Sequence, residues 1–423
     1  MNKNLLLLII VSVLVMGCSG RSLELAVPPA TEVSQAERYL PWWSRTAMDI
    51  FMRYSVWSGD RSGFVTMVAQ NGELIYSNTA GWADIEASIP MELGTQMRFA
   101  SMTKPVTAVA AMILVEEGRL KLDDPVSKYI PAYGSLRVAL NHNKDAEGRF
   151  STEPLKNPLL VRHLLLFSSG IGPGYSEASD LLEHWHSNGL RSQKDGNLAQ
   201  RIDHLASLPL FEEPGSRWRY GSSADALARV VEVASGQSFH IFLKERIFVP
   251  LGMSNTSFLY EIKDKSRLAT VYTQDKNGDL ALAPKLIDAD YNQGGSGLVS
   301  TAGDYMRFAL MLWNQGKYQG IGILNSDTVA EMTRLHLKEG VFEDRDVKGL
   351  GWGLGMSVLA SEDAALPGHL GDFGWGGYYG TTFFVSPSTG MVGVVLSQNE
   401  MSEFSDDYQT QIYVLQGLAL AGS

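Results

Sequence analysis

Strand-like sequence stands near both ends of this chain and helical sequence fills its middle, an order that restricts the fold more than any other feature. Alternating apolar patterns predict strands over 64–69 and 73–80. Between them lies Gln70-Asn71-Gly72, and Asn-Gly suits a tight primed turn because both central positions need positive φ. After Gly294 the strand patterns return, over 351–358, 381–385 and 392–397. From about 135 to 285 the periodicity is helical, at 158–167, 197–205, 223–234 and 239–248, with long polar loops between. Helices are also predicted through Ile50, Phe51 and Tyr54, with Ser44 as the cap, and over 408–421. The expected fold class is α/β in the α+β sense: an antiparallel sheet flanked by N- and C-terminal helices and interrupted by an all-α domain. The sheet region is placed at about 44–135 and 286–423, and the helical insertion at about 136–285.

The N-terminus reads as an address. Lys3 precedes an apolar run over 5–16, too short to span a bilayer as a stable helix but suited to a secretory signal. The run ends in Leu14-Val15-Met16-Gly17-Cys18, which resembles a bacterial lipobox. Cys18 is the only cysteine, so an exported chain with none to spare for a disulfide has one where a lipid would be attached. Residues 1–17 are expected to be a lipoprotein signal peptide, 18–43 a tether, and 44–423 the folded body. Ser19, in place of the Asp that retains lipoproteins at the inner membrane, implies an exported bacterial lipoprotein facing the periplasm, on the outer membrane where the host is Gram-negative.

The formal net charge of -11, with no offsetting Lys/Arg stripe, argues against a nucleic-acid partner. His184-Trp185-His186 lacks a third ligand at a recognised spacing, so no metal is expected. Asp123 and Asp124, beside Pro125, read as a turn or cap. Trp42, Trp43 and Trp57 read as packing for the N-terminal helix, and Asp225 as a structural residue.

The chemistry concentrates in Ser101-Met102-Thr103-Lys104. Val106, Val109, Ala110, Ile113 and Leu114 follow a helical stripe that Gly118 ends. Pro105 has no N–H for the Ser101 carbonyl and would clash with it in a regular helix, so Ser101 must lie at the helix start. Residues i and i+3 share a helix face, which brings the Lys104 amine to the Ser101 hydroxyl. Serine needs a base to become a nucleophile at neutral pH, and a suitably placed lysine can serve. The helix N-terminus adds partial positive charge that favours a developing alkoxide.

Around this tetrad runs an ordered set of motifs. Phe99-Ala100-Ser101-Met102-Thr103-Lys104-Pro105 is followed by Leu122-Asp123-Asp124-Pro125, Arg162-His163-Leu164-Leu165, Ser168-Ser169-Gly170-Ile171 and Pro214-Gly215-Ser216-Arg217-Trp218-Arg219-Tyr220. Pro250-Leu251-Gly252-Met253, Gly295-Ser296-Gly297-Leu298-Val299-Ser300-Thr301 and Gly374-Trp375-Gly376-Gly377-Tyr378-Tyr379-Gly380-Thr381 complete it. The series, over about 45–420, resembles the serine β-lactamase-like hydrolases: class C β-lactamases, D-alanyl-D-alanine peptidases and the family VIII carboxylesterases. The resemblance implies an acyl-enzyme mechanism with Ser101 as nucleophile, and Lys104 and Tyr220 moving protons. It implies an oxyanion hole from the backbone N–H groups of Ser101 and Tyr378, and no cofactor.

Two departures bear on substrate. Ser222 stands where the lactamases carry the Asn of Tyr-x-Asn, and Trp375-Gly376-Gly377 stands where they carry Lys-Thr-Gly. That lysine holds a substrate carboxylate by charge, whereas a tryptophan lines an apolar pocket. The glycines are read as letting substrate approach the strand backbone. His369-Leu370-Gly371 competes for the same place and resembles a His-x-Gly variant of the peptidase branch. The favoured expectation is a carboxylesterase on short acyl esters. The alternatives are a lactam- or D-alanyl-peptide-cleaving amide hydrolase of the cell envelope and a non-catalytic penicillin-binding-like protein. The expected partners are a small ester or lactam and, through Cys18, a membrane.

Overall fold

The computed structural model describes residues 40–421 apart from 175–177, 191–195, 285–289, 338–348, 365 and 401–409. The signal peptide, Cys18 and nearly all of the tether lie outside the described residues.

The first helix, α1 (Trp42–Trp57), leads into the hairpin β1 (Gly63–Gln70) and β2 (Glu73–Asp84). The hairpin turns as its sequence requires, with Asn71 at φ 50° and Gly72 at φ 87°. A short strand β3 (Ile89–Pro90) follows, then β4 (Met97–Arg98) and the central helix α2 (Thr103–Glu116). The middle of the chain supplies the helices Asp180–Asn188, Leu198–Leu205 and α3 (Ser223–Ser235). It also holds β5 (Ser257–Phe258) and two short hairpins, Arg137–Ala139 with Thr152–Pro154 and Tyr272–Gln274 with Leu280–Leu282. The insertion is therefore mainly helical, not purely so.

The remainder returns to the sheet: β6 (Leu298–Ser300), α4 (Ala302–Trp313), β7 (Leu350–Trp352), β8 (Ser357–Leu359), β9 (Phe373–Gly377), β10 (Thr381–Ser386), β11 (Met391–Leu396) and α5 (Thr410–Leu420). The single strand expected over 351–358 is two, because the chain reverses at Gly353–Met356. Gly355 takes φ 90° there, and a side chain on it would collide with Ala108 of α2.

The main sheet is antiparallel in the order β7-β8-β9-β10-β11-β1-β2-β3. Its two halves join where β1 pairs with β11, Val65 opposite Leu396 and Val68 opposite Gly393. Side chains alternate between two cores, as the strand period of two demands. Phe64 and Val68 of β1, Phe384 of β10 and Val395 of β11 pack with Met48 and Met52 of α1 and Leu415 of α5. Val65, Phe383, Val385, Val394 and Leu396 turn to the opposite face and join the large core that contains α2, α3 and α4. Ser44 is not a cap. It lies inside α1, fully buried, and its hydroxyl donates to the Leu418 carbonyl of α5 at 2.5 Å. Trp42, Trp43 and Trp57, expected as packing, are exposed, because the buried face of α1 is made by Ser44, Met48, Met52 and Ser55.

Candidate active site

Ser101 sits in a 3-10 turn, Ala100–Met102, that runs directly into α2. Pro105 falls in the first turn of that helix, where its missing N–H is tolerated. The residue before the serine, Ala100, is held at φ 43°, a left-handed conformation that non-glycine residues rarely adopt. From Thr103 to Leu114 every side chain of α2 is buried, so the serine is carried on a fixed element.

Three polar atoms converge at the helix start. Lys104 Nζ donates to Ser101 Oγ at 3.0 Å, and Ser101 Oγ and Tyr220 Oη share a 2.5 Å hydrogen bond. Lys104 Nζ also donates to the Gly295 carbonyl at 2.6 Å and lies 4.6 Å from the centre of the Tyr220 ring. The lysine is 5% exposed, and both its acceptors are uncharged. An amine so placed can exchange a proton with the hydroxyl without solvent between them.

The loop that receives the lysine is clamped from two sides. Thr107, one turn along α2, donates to the Gly294 carbonyl at 2.7 Å. From α3, Asp225 Oδ1 accepts the Gly295 N–H at 3.0 Å. Neither glycine has room for a side chain: one at Gly294 would strike the Ala224 carbonyl, and one at Gly295 would lie 2.8 Å from Asp225 Oδ2. The Gly-Gly pair thus serves the close approach of α3 to this loop. Asp225 is structural, as expected, and its contribution is specific, for it orients the peptide whose carbonyl holds Lys104. Asp225→Ala is expected to destabilise the fold by about 1–3 kcal/mol through the orphaned Gly295 N–H. Denaturant unfolding checks this, and an unchanged midpoint would mean that the clamp carries no stability.

Tyr220 is set by aromatic packing. Its ring lies 6.0 Å from Phe167, 6.1 Å from Trp218 and 6.0 Å from Trp375. Trp375 meets Trp352 edge-on at 4.8 Å, and the Trp352 indole donates to the Leu165 carbonyl at 3.0 Å. Phe167, fully buried, takes φ 54°, a second left-handed residue beneath the site. Sequence reasoning gave no site role to Phe167, Trp218 or Trp352, although Phe167 adjoins one of the quoted motifs and Trp218 lies inside another. Arg219, next to Tyr220, is pinned by Glu212, its Nε donating at 2.6 Å.

Ser101, Lys104, Tyr220, Ser222 and Tyr378 all line one cavity of about 270 Å³. Ser222 opens α3, with its N–H on the Ile171 carbonyl at 3.1 Å. The Tyr378 hydroxyl donates to Glu400 at 3.0 Å. Trp375 stands behind Tyr220. His369 lies in the turn before β9, half-exposed, with its ring near Asp372 and Ser386. Burial holds the Asp372 carboxyl above its usual range. Of the two competing residues, Trp375 is the one that packs against Tyr220.

The expected role of Gly377 is revised. A side chain there would strike the Phe99 carbonyl, so this glycine admits the backbone leading to Ser101, not a substrate. Gly376 pairs with Thr382 and has ordinary space beside it. Asp123 and Asp124 are structural, bonded to Arg162 at 2.5 Å and to the Tyr129 hydroxyl at 2.6 Å.

Comparison with known proteins agrees with this arrangement. The chain matches the Beta-lactamase family over residues 45–417. It is 33% identical to protein Rv1367c of Mycobacterium tuberculosis, over 81% of this chain and 87% of that one. It is 31% identical to esterase EstB of Burkholderia gladioli, covering 79% and 85%. Among solved structures it is similar to EstCE1, described as a hydrolase with promiscuous acyltransferase activity, at a TM-score of 0.74 and 28% identity, covering 88% and 98% of the two chains. The simvastatin synthase LovD of Aspergillus terreus shares the fold at a TM-score of 0.77 and 22% identity, covering 89% and 98%. A helix-borne serine, a lysine one turn on, and an extent of match that takes in both halves of the sheet lead to one assignment: the chain belongs to the β-lactamase-like family of serine hydrolases.

Proposed function

We propose that the protein is a carboxylesterase that cleaves short acyl esters through an acyl-enzyme on Ser101. The observation that carries the ester reading is Trp375, an apolar ring packed on Tyr220 where the lactamases present a lysine to a substrate carboxylate. The name of EstB, and that of the lovastatin esterase of Penicillium rubens at 26% identity, support the same bond type. A cavity near the lower end of the ~300–1,000 Å³ range of ligand sites suits a short acyl chain.

In this reading Ser101 Oγ attacks the ester carbonyl carbon, and its proton leaves along the hydrogen bonds to Lys104 and Tyr220. The carbonyl oxygen becomes an oxyanion, received by the backbone N–H groups of Ser101 and Tyr378, both in the cavity wall. Collapse breaks the C–O bond to the alcohol, which leaves with the proton. Water then repeats the sequence, giving its proton to the same pair, and the acid is released. We further propose that Cys18 carries a lipid and holds the enzyme at the periplasmic side of a membrane, on the strength of its place after the apolar run.

The test sets p-nitrophenyl butyrate against nitrocefin and a D-Ala-D-Ala peptide, with mass spectrometry of the trapped enzyme. We expect ester kcat/KM to exceed the other two by at least about 100-fold and a butyryl adduct on Ser101. A reversed ranking would move the substrate to the amide branch.

A further inference from the structure

The outward face of α1 is aromatic. Trp42, Trp43, Tyr54 and Trp57 are 68%, 43%, 56% and 81% exposed. Trp43, Ile50, Tyr54 and Trp57 recur at helical spacing and form one stripe. The Tyr54 and Trp57 rings lie 5.9 Å apart. Trp82 of β2 is exposed as well. Of the four tryptophans among the exposed large side chains of the described residues, three lie on α1. The helix cannot roll to hide them, because Met48 and Met52 are locked in the core with Phe64 and Val68.

The charges on α1 are sorted as well. Its one carboxylate, Asp49, is turned toward the sheet, where Oδ1 accepts from the Tyr76 hydroxyl at 2.7 Å and from Asn78 at 2.6 Å. Arg45 and Arg53 are its cations, the latter exposed. A chain with net charge -11 thus offers, on this helix, an outward face of indoles, a phenol and a guanidinium. Tryptophan and tyrosine, apolar with one polar atom, favour the headgroup layer of a bilayer, and arginine favours its phosphates.

We propose that α1 seats the body of the enzyme on an anionic lipid surface, with Trp42, Trp43 and Trp57 in the headgroup layer. The position of the patch in the chain supports lipid over protein. The aromatic helix begins at Trp42, about two dozen residues after Cys18, a length that spans at most ~80 Å. A lipid on Cys18 would keep the face at high local concentration near a bilayer, so even weak surface affinity would suffice. The choice of a lipid occupant rests on the proposed anchor at Cys18, whereas the exposure of the face does not.

The experiment uses the full chain with a site-specific protease sequence inserted after Pro29, with and without Trp42→Ser, Trp43→Ser and Trp57→Ser together. Each protein is bound to phosphatidylethanolamine vesicles with or without phosphatidylglycerol, the tether is cut, and the vesicles are floated. The cut body with the intact face is expected to float with the phosphatidylglycerol vesicles, and the triple variant at least tenfold less, at equal ester turnover. Equal release of both bodies overturns the proposal. So does a dimer of the cut body that the substitutions dissociate, which assigns the face to a second copy. Failure of the uncut chain to incorporate palmitate at Cys18 counts against the anchor alone, because the cut body reports the face separately.

Discussion

Alanine at position 101 is expected to lower ester kcat/KM by at least about 10⁴-fold with the unfolding midpoint close to wild type. Removing the nucleophile of an acyl-enzyme cycle removes the covalent route entirely, and what persists in such variants is substrate binding and oxyanion stabilisation, a remnant of about 10³–10⁴ over water. The fold should tolerate the change. Ser101 Oγ bonds to Lys104 and Tyr220, and Lys104 keeps its second acceptor, the Gly295 carbonyl, at 2.6 Å. The variant should also lose all covalent labelling by a fluorophosphonate, read by intact-protein mass. Turnover within tenfold of wild type in pure protein would end the assignment of Ser101.

Lys104→Met should be nearly as damaging to rate and more damaging to stability. A positioned proton-transfer group contributes about 10²–10⁴-fold, and this one stands 3.0 Å from the hydroxyl it serves. Methionine keeps the aliphatic stem in a wall that is almost wholly buried, so packing loss is small. The Gly295 carbonyl, however, loses the lysine that caps it, at about 1–3 kcal/mol. The combination is diagnostic: a fall in kcat of about 10³ with a lower denaturant midpoint, against the Asp225→Ala variant, which loosens the same loop while leaving the amine in place. If Lys104→Met retains kcat within a few-fold, proton transfer must run through Tyr220 alone.

The hairpin at Asn71-Gly72 and the helix carrying Lys104 were legible because local sequence settles them: a turn needs positive φ, and an apolar stripe needs one face. The place of Ser101 at the helix start was legible for the same reason, from the ring of Pro105. Ser44 misled because a serine near a helix start serves equally as a cap or as a buried donor, and only the distant Leu418 carbonyl decides between them. The split at Gly355 was hidden because the bulk that forbids a side chain there, Ala108, lies far away in the chain.

Sequence alone thus determined the chemistry on offer: a serine and lysine on one face of a helix start, a tyrosine in an ordered motif, and a tryptophan where a cation would sit. Tertiary structure decided how these meet. It brought Tyr220 to 2.5 Å from Ser101, turned Trp375 and not His369 toward that pair, gave Gly377 to the backbone of Phe99, and left the tryptophans of α1 facing outward. The physical reason is range. Turn conformation and helix phase are set by steric and hydrogen-bonding preferences within a few residues. The partner of a buried polar or aromatic group is set by whichever segment the closing of the β1–β11 pair brings against it.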